Sequence, residues 1–333
     1  MKILVTGSTG FIGSKLCCAL LAAGHAVRAF HRPNSSLTAL DGLDVEHAIG
    51  DLSQPETLDA AMAGIQAVFH VAALMNGRQA GKQYAVTVEG TRAVVKAALS
   101  AKVQRFVHTS SVAALGVPAF RQISLLNEDH TWNFPPERYP YGYAKYLAEL
   151  EIQKAVAQGL NAVIVNPALV FGPGDQYRLS SSPLVAVARR KLNISAEGGI
   201  NVVHIEDVVA GHLAALERGR RGQRYILGGE NLTLLAMLQT AARVAQVPPP
   251  RLVVPAALLR AVAGPASLLG NFLNLPVSPD LLFLAGFYFY YDTRKAAAEL
   301  GLPAPRPAED AIRGALDWFS HKQEPLPISP IGG

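Results

Sequence analysis

The chain has 333 residues, of which 50% are hydrophobic, 17% charged and 7% aromatic, which is enough apolar material to bury a sizeable core and too much for a disordered chain. Thirty Lys and Arg against 25 Asp and Glu leave a formal charge of +5 with no polybasic run, which argues against nucleic acid as a partner. The two cysteines, Cys17 and Cys18, are adjacent on a helical pattern, where bridging would be strained, so both read as small buried residues of a chain from a reducing, cytoplasmic compartment.

Only Ile3, Leu4 and Val5 precede the polar turn at the start, too little for the apolar core of an export signal. Short strand-like runs then alternate with helical patterns. The strands are ILV at 3–5, AVRAF at 26–30, AVFHVAA at 67–73, RFVHTSS at 105–111 and AVIVNPA at 162–168, and helices fit 14–23, 82–100 and 141–158. This alternation predicts an α/β fold, a Rossmann-type doubly wound parallel sheet with right-handed crossovers. Residues 1–170 form its dinucleotide domain, with segments from 200–230 completing it, and 171–333 are mostly a smaller C-terminal substrate-binding lobe. Within the lobe the stretch 251–290 is mostly apolar and holds Phe283, Phe287, Tyr288, Phe289 and Tyr290, with Tyr291 next to it. Packing of the lobe onto the main domain is the preferred reading, with a membrane-facing surface as the alternative. Between Arg260 and Asp280 no residue is charged, but Pro265, Asn271, Asn274 and Pro276 interrupt the run, so no transmembrane helix is expected while peripheral membrane association stays open.

The first strand leads into Thr6-Gly7-Ser8-Thr9-Gly10-Phe11-Ile12-Gly13. Glycines at this spacing let the backbone turn tightly and approach a pyrophosphate, while the free N–H groups of the following helix face its charge. Gly7, Thr9, Gly10, Phe11, Ile12 and Gly13 are therefore candidate cofactor contacts. At the tip of the second strand an acid would bind the ribose hydroxyls of NAD. His31-Arg32 stands there instead, and a guanidinium suits the 2′-phosphate of NADP, so NADP is preferred with NAD as the alternative. Gly50-Asp51-Leu52 ends the third strand, where the Asp51 carboxylate can accept from the adenine amino group or simply cap a helix.

Ser111 closes the fifth strand, and Tyr141 and Lys145 stand one helical turn apart. A phenol beside an ammonium and a nicotinamide can pass a proton while hydride moves, which makes these three the catalytic candidates. His204 and His70 read as structural, and no metal-ligand spacing is present.

Taken in order, TGSTGFIG, GDL, HVAA, TSSVAALG, YGYAK, NPALVFGPGD, VHIEDVVAGH and YILGGENLTL resemble an extended short-chain dehydrogenase/reductase, of the NAD(P)-dependent epimerase/dehydratase family. The Arg-tipped second strand, the Asn166-Pro167 pair and the segment ALERGRRGQRYILGGENLTL look most similar to its dihydroflavonol 4-reductase-like group, whose bacterial members include hopanoid-associated sugar epimerases. The resemblance implies that Ser111 holds the substrate oxygen, Tyr141 is the acid-base, and Lys145 binds the nicotinamide ribose and lowers the tyrosine pKa. It places Ala72 beside the ribose and Pro167 and Val170 near the nicotinamide. Two residues depart from the pattern: Thr87 replaces the usual Asn, and Tyr143 a frequent Ser. Val112 and Ala113 stand where sugar-nucleotide dehydratases carry an acidic pair, which disfavours dehydration, and Leu115-Gly116 replaces the aromatic-glycine pair of many sugar epimerases.

The expected reaction is NADPH-dependent reduction of a ketone or aldehyde. Specificity would lie in the loops around 74–84, 117–138 and 174–200, whose Phe120, Trp132 and Phe134 favour an apolar or aromatic small-molecule substrate. The alternatives are a sugar-nucleotide epimerase, with Arg178, Arg189, Arg190 and Lys191 converging on a diphosphate, and a non-catalytic NADP-binding regulator. By resemblance, helices 82–100 and 141–158 would pair in a homodimer.

Overall fold

The computed structural model describes residues 1–74, 80–119, 123–176, 182–269 and 282–321. Its strands in chain order are β1 (Lys2–Thr6), β2 (Ala26–His31), β3 (Glu46–Ile49), β4 (Ala67–His70), β5 (Arg105–Thr109), β6 (Leu125–Leu126) and β7 (Ala162–Pro167). There follow β8 (Leu169–Phe171), β9 (Ile194–Ala196), β10 (Gly199–His204), β11 (Arg224–Leu227), β12 (Glu230–Thr233), β13 (Leu252–Val254) and β14 (Tyr288–Tyr291).

Seven strands form one sheet in the order β11-β7-β5-β4-β1-β2-β3, and every pairing in it is parallel. Strands β4, β5 and β7 are buried along their whole length, as a sheet covered on both faces requires. Side chains alternate between two cores with the period of a strand. Val107 of β5 packs with Leu16, Leu20, Val208 and Ala215 of helices Phe11–Ala22 and Ile205–Arg218. Phe106 packs on the opposite side with Val94, Ala98 and Ile152 of helices Gly90–Ser100 and Pro140–Ala157. The chain order reverses between β1 and β4, which opens a crevice at the carboxyl ends of those strands.

A second sheet runs β12-β10-β14-β6, with β8 also paired to β10, and β13 pairs with β9 in a two-stranded ribbon. The aromatic run is taken up in this lobe: Tyr290 and Tyr291 are buried in β14, and Phe287 meets Phe134 edge to face at 6.0 Å. That is the packing expected of it, and no large side chain of the run is exposed.

Three local expectations change. The predicted helix 82–100 is divided by a π-helical segment, Ala85–Glu89, between Ala80–Tyr84 and Gly90–Ser100. The β3 strand ends at Ile49, before the Gly50-Asp51-Leu52 turn. Cys18 is exposed, contrary to the reading of two buried thiols, because consecutive helix positions point about 100° apart and only Cys17 faces the sheet. Burial pushes the Cys17 thiol up to about 12. Among the described residues no helix is long and apolar enough to cross a membrane.

Candidate active site

The glycine turn sits in the crevice, and two of its glycines have no substitute. Gly7 has φ +68°, and a Cβ there would stand 2.7 Å from the Ala72 nitrogen at the end of β4. A Cβ on Gly13 would stand 2.1 Å from the Gly7 carbonyl oxygen, so helix and turn touch backbone to backbone. Gly10 is the N-cap of helix Phe11–Ala22, and neither a side-chain cap nor an acid occupies the first turn. The N–H groups at Phe11, Ile12 and Gly13 are thus left for an anion, which is the arrangement that a dinucleotide pyrophosphate needs. Thr9 is buried, and its carbonyl accepts from Gln176 Nε2 at 3.0 Å. The cradle therefore fits the dinucleotide implied by the sequence.

On the adenosine side Arg32 is exposed just beyond β2. His31 is buried, with Nε2 3.1 Å from His47 Nδ1 and Nδ1 3.0 Å from the Arg32 carbonyl. Asp51 Oδ1 accepts from the Ser53 backbone N–H at 2.9 Å and from its hydroxyl at 2.7 Å. The Ser53 backbone bond, more than the charge of Arg32, holds this carboxyl below its ordinary range. One Asp51 oxygen is thereby engaged in the turn. Leu52 is buried against Gly90.

At the other end of the crevice Ser111 caps the short 3-10 turn Val112–Leu115, its hydroxyl accepting from Ala113 N–H at 3.2 Å. The Ser111 side chain also acts on the Tyr141 phenol, favouring its ionised form. Helix Pro140–Ala157 approaches this turn closely because of Gly142: a Cβ there would lie 2.8 Å from the Ala113 carbonyl and 2.8 Å from the Trp132 ring. Burial pushes the Tyr141 phenol above its ordinary value, the Ser111 side chain opposing it, so the phenol keeps its proton near neutrality. Lys145, 2% exposed, points inward and donates to the Thr109 carbonyl at 3.0 Å. Burial lowers it to about 8, against the attraction of Glu149.

Glu149 continues the four-residue ladder of Tyr141 and Lys145, a signal present in the sequence but not used above. Buried, it accepts from Asn166 Nδ2 at 2.6 Å and from Arg224 Nη1 at 3.1 Å. Asn166 Nδ2 also donates to the Ser111 carbonyl at 3.0 Å, so β7 and β11 hold the serine turn in register with the helix. Pro167 and Val170 are buried at the end of β7 and in β8. Behind Lys145 a chain of hydrogen bonds fixes His70. Thr91 Oγ1 donates to the Thr87 carbonyl at 2.6 Å, so it accepts from His70 Nε2 at 3.0 Å, and His70 Nδ1 accepts from Thr6 Oγ1 at 2.7 Å. The accepting role of Nδ1 follows from burial, which lowers His70 to about 3 and keeps the imidazole neutral. The Thr87 carbonyl ties the π segment to Thr91, while the Thr87 hydroxyl, standing where the family usually has an Asn amide, is buried with no hydrogen-bond partner among the described residues. Its neighbour His108, 5.3 Å from His70 ring to ring, has no hydrogen-bond partner for either nitrogen among the described residues.

Tyr143, the other departure, stacks into an aromatic group with Trp132 at 5.4 Å and Tyr146 at 6.3 Å. His204 caps helix Ile205–Arg218, Nδ1 accepting from Glu206 N–H at 3.1 Å, which is the structural role expected. Arg189, Arg190 and Lys191 are exposed after helix Ser182–Ala188. Phe120 and Arg178 lie outside the described residues.

A profile of the NAD dependent epimerase/dehydratase family matches residues 3–228. The chain belongs to this family. Its type is that of the extended short-chain dehydrogenase/reductases, whose members turn over substrates with a nicotinamide dinucleotide as oxidoreductases or epimerases. A Synechocystis sp. protein named after dihydroflavonol 4-reductase is 35% identical over 95% of this chain and 94% of its own length. "Sterol demethylase protein B" of Methylococcus capsulatus is 36% identical over 97% of this chain and 99% of its own. Among solved structures, PA4631, a nucleoside-diphosphate-sugar epimerase from Pseudomonas aeruginosa, superposes with a TM-score of 0.82 at 26% identity, covering 97% of this chain and 98% of that one.

Proposed function

We propose that this family member is an NADP-dependent reductase of a ketone or aldehyde carried on an apolar or aromatic skeleton. The observation that carries the reading is the seating of the Tyr141–Lys145 helix, through Gly142, on the Ser111 turn, with burial favouring the protonated phenol, since reduction needs an acid at the carbonyl oxygen. Tyr141 gives its proton to that oxygen, and Ser111 donates a hydrogen bond that polarises the carbonyl. Lys145, one helical turn from Tyr141, carries the positive charge of the site and would hold the nicotinamide ribose of a bound dinucleotide. The dinucleotide, when bound, supplies the hydride. Val112 and Ala113, buried or half-buried in the 3-10 turn, offer no acid-base pair for dehydration. The relatives named for a dihydroflavonol reductase and a sterol demethylase support a largely apolar ring system, as does the Trp132–Tyr139–Tyr143–Tyr146 group at the start of the active-site helix.

The decisive test is NADPH oxidation by purified protein over a panel of cyclic ketones, aromatic aldehydes and aliphatic carbonyls. Turnover with any class is expected. A folded protein that binds NADPH yet oxidises none of it across the panel rejects the proposal, and if the dinucleotide copurifies with it, epimerase chemistry takes its place.

Arg32 gives the cofactor preference its own test. Arg32→Glu is expected to raise the KM for NADPH about tenfold to a hundredfold, the loss of one charge-assisted phosphate contact, with the KM for NADH unchanged or lower. Equal effects on both cofactors would remove the 2′-phosphate from the role of Arg32.

A further inference from the structure

We infer that the outer face of the lobe formed by the β9–β13 ribbon and the start of helix Ala256–Leu269 is a docking surface for an anionic lipid membrane. Register pairs Ile194 with Leu252 across the ribbon, and both are exposed, Leu252 at 69%. The chain then turns at Pro255 into the helix, whose outward positions Ala257, Leu258, Ala261 and Val262 are all apolar and exposed, Leu258 at 62%. The one charged residue of that helix, Arg260, turns inward and donates to the Ala285 carbonyl at 2.8 Å. Surface helices normally present charge to water, and this one presents apolar side chains.

Cations flank these segments in the chain. Arg189, Arg190 and Lys191 lead into β9, Arg251 leads into β13, and all four are exposed. None of them forms an ion pair among the described residues, whereas Arg92, Arg243, Arg306 and Arg313 elsewhere on the surface each hold a carboxylate. No acid occurs between Asp175 and Glu197 or between Arg243 and Asp280, and Glu197 itself is engaged by the Ala256 N–H at 2.8 Å. Arg190 holds φ +57°, a conformation that glycine adopts without strain, so the position keeps a charge at a cost in stability. Exposed apolar side chains flanked by cations that form no ion pair among the described residues match the acyl boundary and phosphate layer of an anionic leaflet. A second copy matches less well, because a two-fold contact would set the four cations against themselves. The inference stands apart from the reaction proposed above.

Cosedimentation of the full chain with vesicles tests it. Binding to phosphatidylcholine containing about one-third phosphatidylglycerol is expected to exceed binding to phosphatidylcholine alone by about tenfold, and to fall as salt rises from about 0.05 to 0.5 M. Arg189→Glu/Arg190→Glu/Lys191→Glu should abolish the preference for the anionic lipid. Leu258→Asn/Val262→Asn should weaken binding to it while keeping the salt dependence. Far-UV circular dichroism and NADPH binding of both variants should match the parent. Failure of the parent chain to bind anionic vesicles overturns the inference, whether or not the variants fold. So does binding that neither variant alters, or a concentration-dependent dimer that Leu258→Asn/Val262→Asn dissociates while vesicles stay unbound.

Discussion

Tyr141→Phe is expected to lower kcat by about a hundredfold to ten-thousandfold, the usual contribution of a positioned general acid, while NADPH affinity stays within about twofold. The substitution removes one oxygen and leaves the ring, so Gly142 still seats the helix on the Ala113 carbonyl and the Trp132 ring. Ser111 keeps its bond from the Ala113 N–H, and Lys145 keeps its bond to Thr109. What disappears is the proton delivered as the carbonyl accepts hydride, an interaction realised in the transition state and not in the ground state. Fluorescence titration of NADPH and single-turnover absorbance at the nicotinamide band separate the two quantities. A parallel loss of cofactor affinity would make Tyr141 a binding group instead. The parent enzyme should also lose reductase activity as pH rises through about 8, where Lys145 gives up its proton. An activity flat to pH 10 would show that its charge is not needed.

How much of this was legible beforehand follows from how local each signal is. The glycine turn can be read directly, because one strand, one turn and one helix carry all of its geometry. The parallel, doubly wound sheet follows from alternation and handedness rules, and the Tyr141–Lys145 pair from helix spacing. Glu149 was equally readable at the next turn of the same helix, but its importance depends on Asn166 and Arg224, which reach it only through the neighbouring strands β7 and β11. The π segment at Ala85–Glu89 departs from the 3.6-residue period by one residue, and the apolar pattern does not resolve that. The meeting of His70 with His108 needs β4 beside β5. In the lobe the aromatic run reads as packing, with a membrane face as the alternative, and none of its large side chains is exposed, whereas the less conspicuous Leu252, Leu258 and Val262 are. Hydrophobicity alone does not say which side of a helix is covered.

The buried histidines make the fold acid-sensitive in a window that the carboxylates do not reach. Burial, helped by the Lys145 charge, lowers His70 from 6.5 to about 3; burial lowers His212 to about 4, opposed by its bond to the Val208 carbonyl; and His108 is depressed well below 6.5 by burial, His70 and Lys145. In each case the folded state binds a proton less readily than the unfolded chain. The stability is therefore fully present above pH 6.5 and is lost as pH falls toward the folded values. At about 1.4 kcal/mol for each tenfold change in proton affinity, His70 accounts for about 5 kcal/mol and His212 for about 3 kcal/mol, together comparable with the whole stability of a typical domain. Glu128, raised by burial, acts in the opposite sense, and the paired carboxylates Glu46 and Asp292, held low by their arginine partners and the Arg294 backbone, lose their contribution only at more acid pH. Urea unfolding midpoints should accordingly hold level from pH 8 to 7 and drop steeply below 6, ahead of carboxylate titration. His212→Gln separates this mechanism from general acid denaturation. It gives up the bonds to Thr109 and Val208 and lowers the midpoint at pH 8, but it leaves one fewer group to protonate, so its curve should approach the parent's as pH falls. Curves that remain parallel from pH 8 to 4.5 would exclude His212 from the transition.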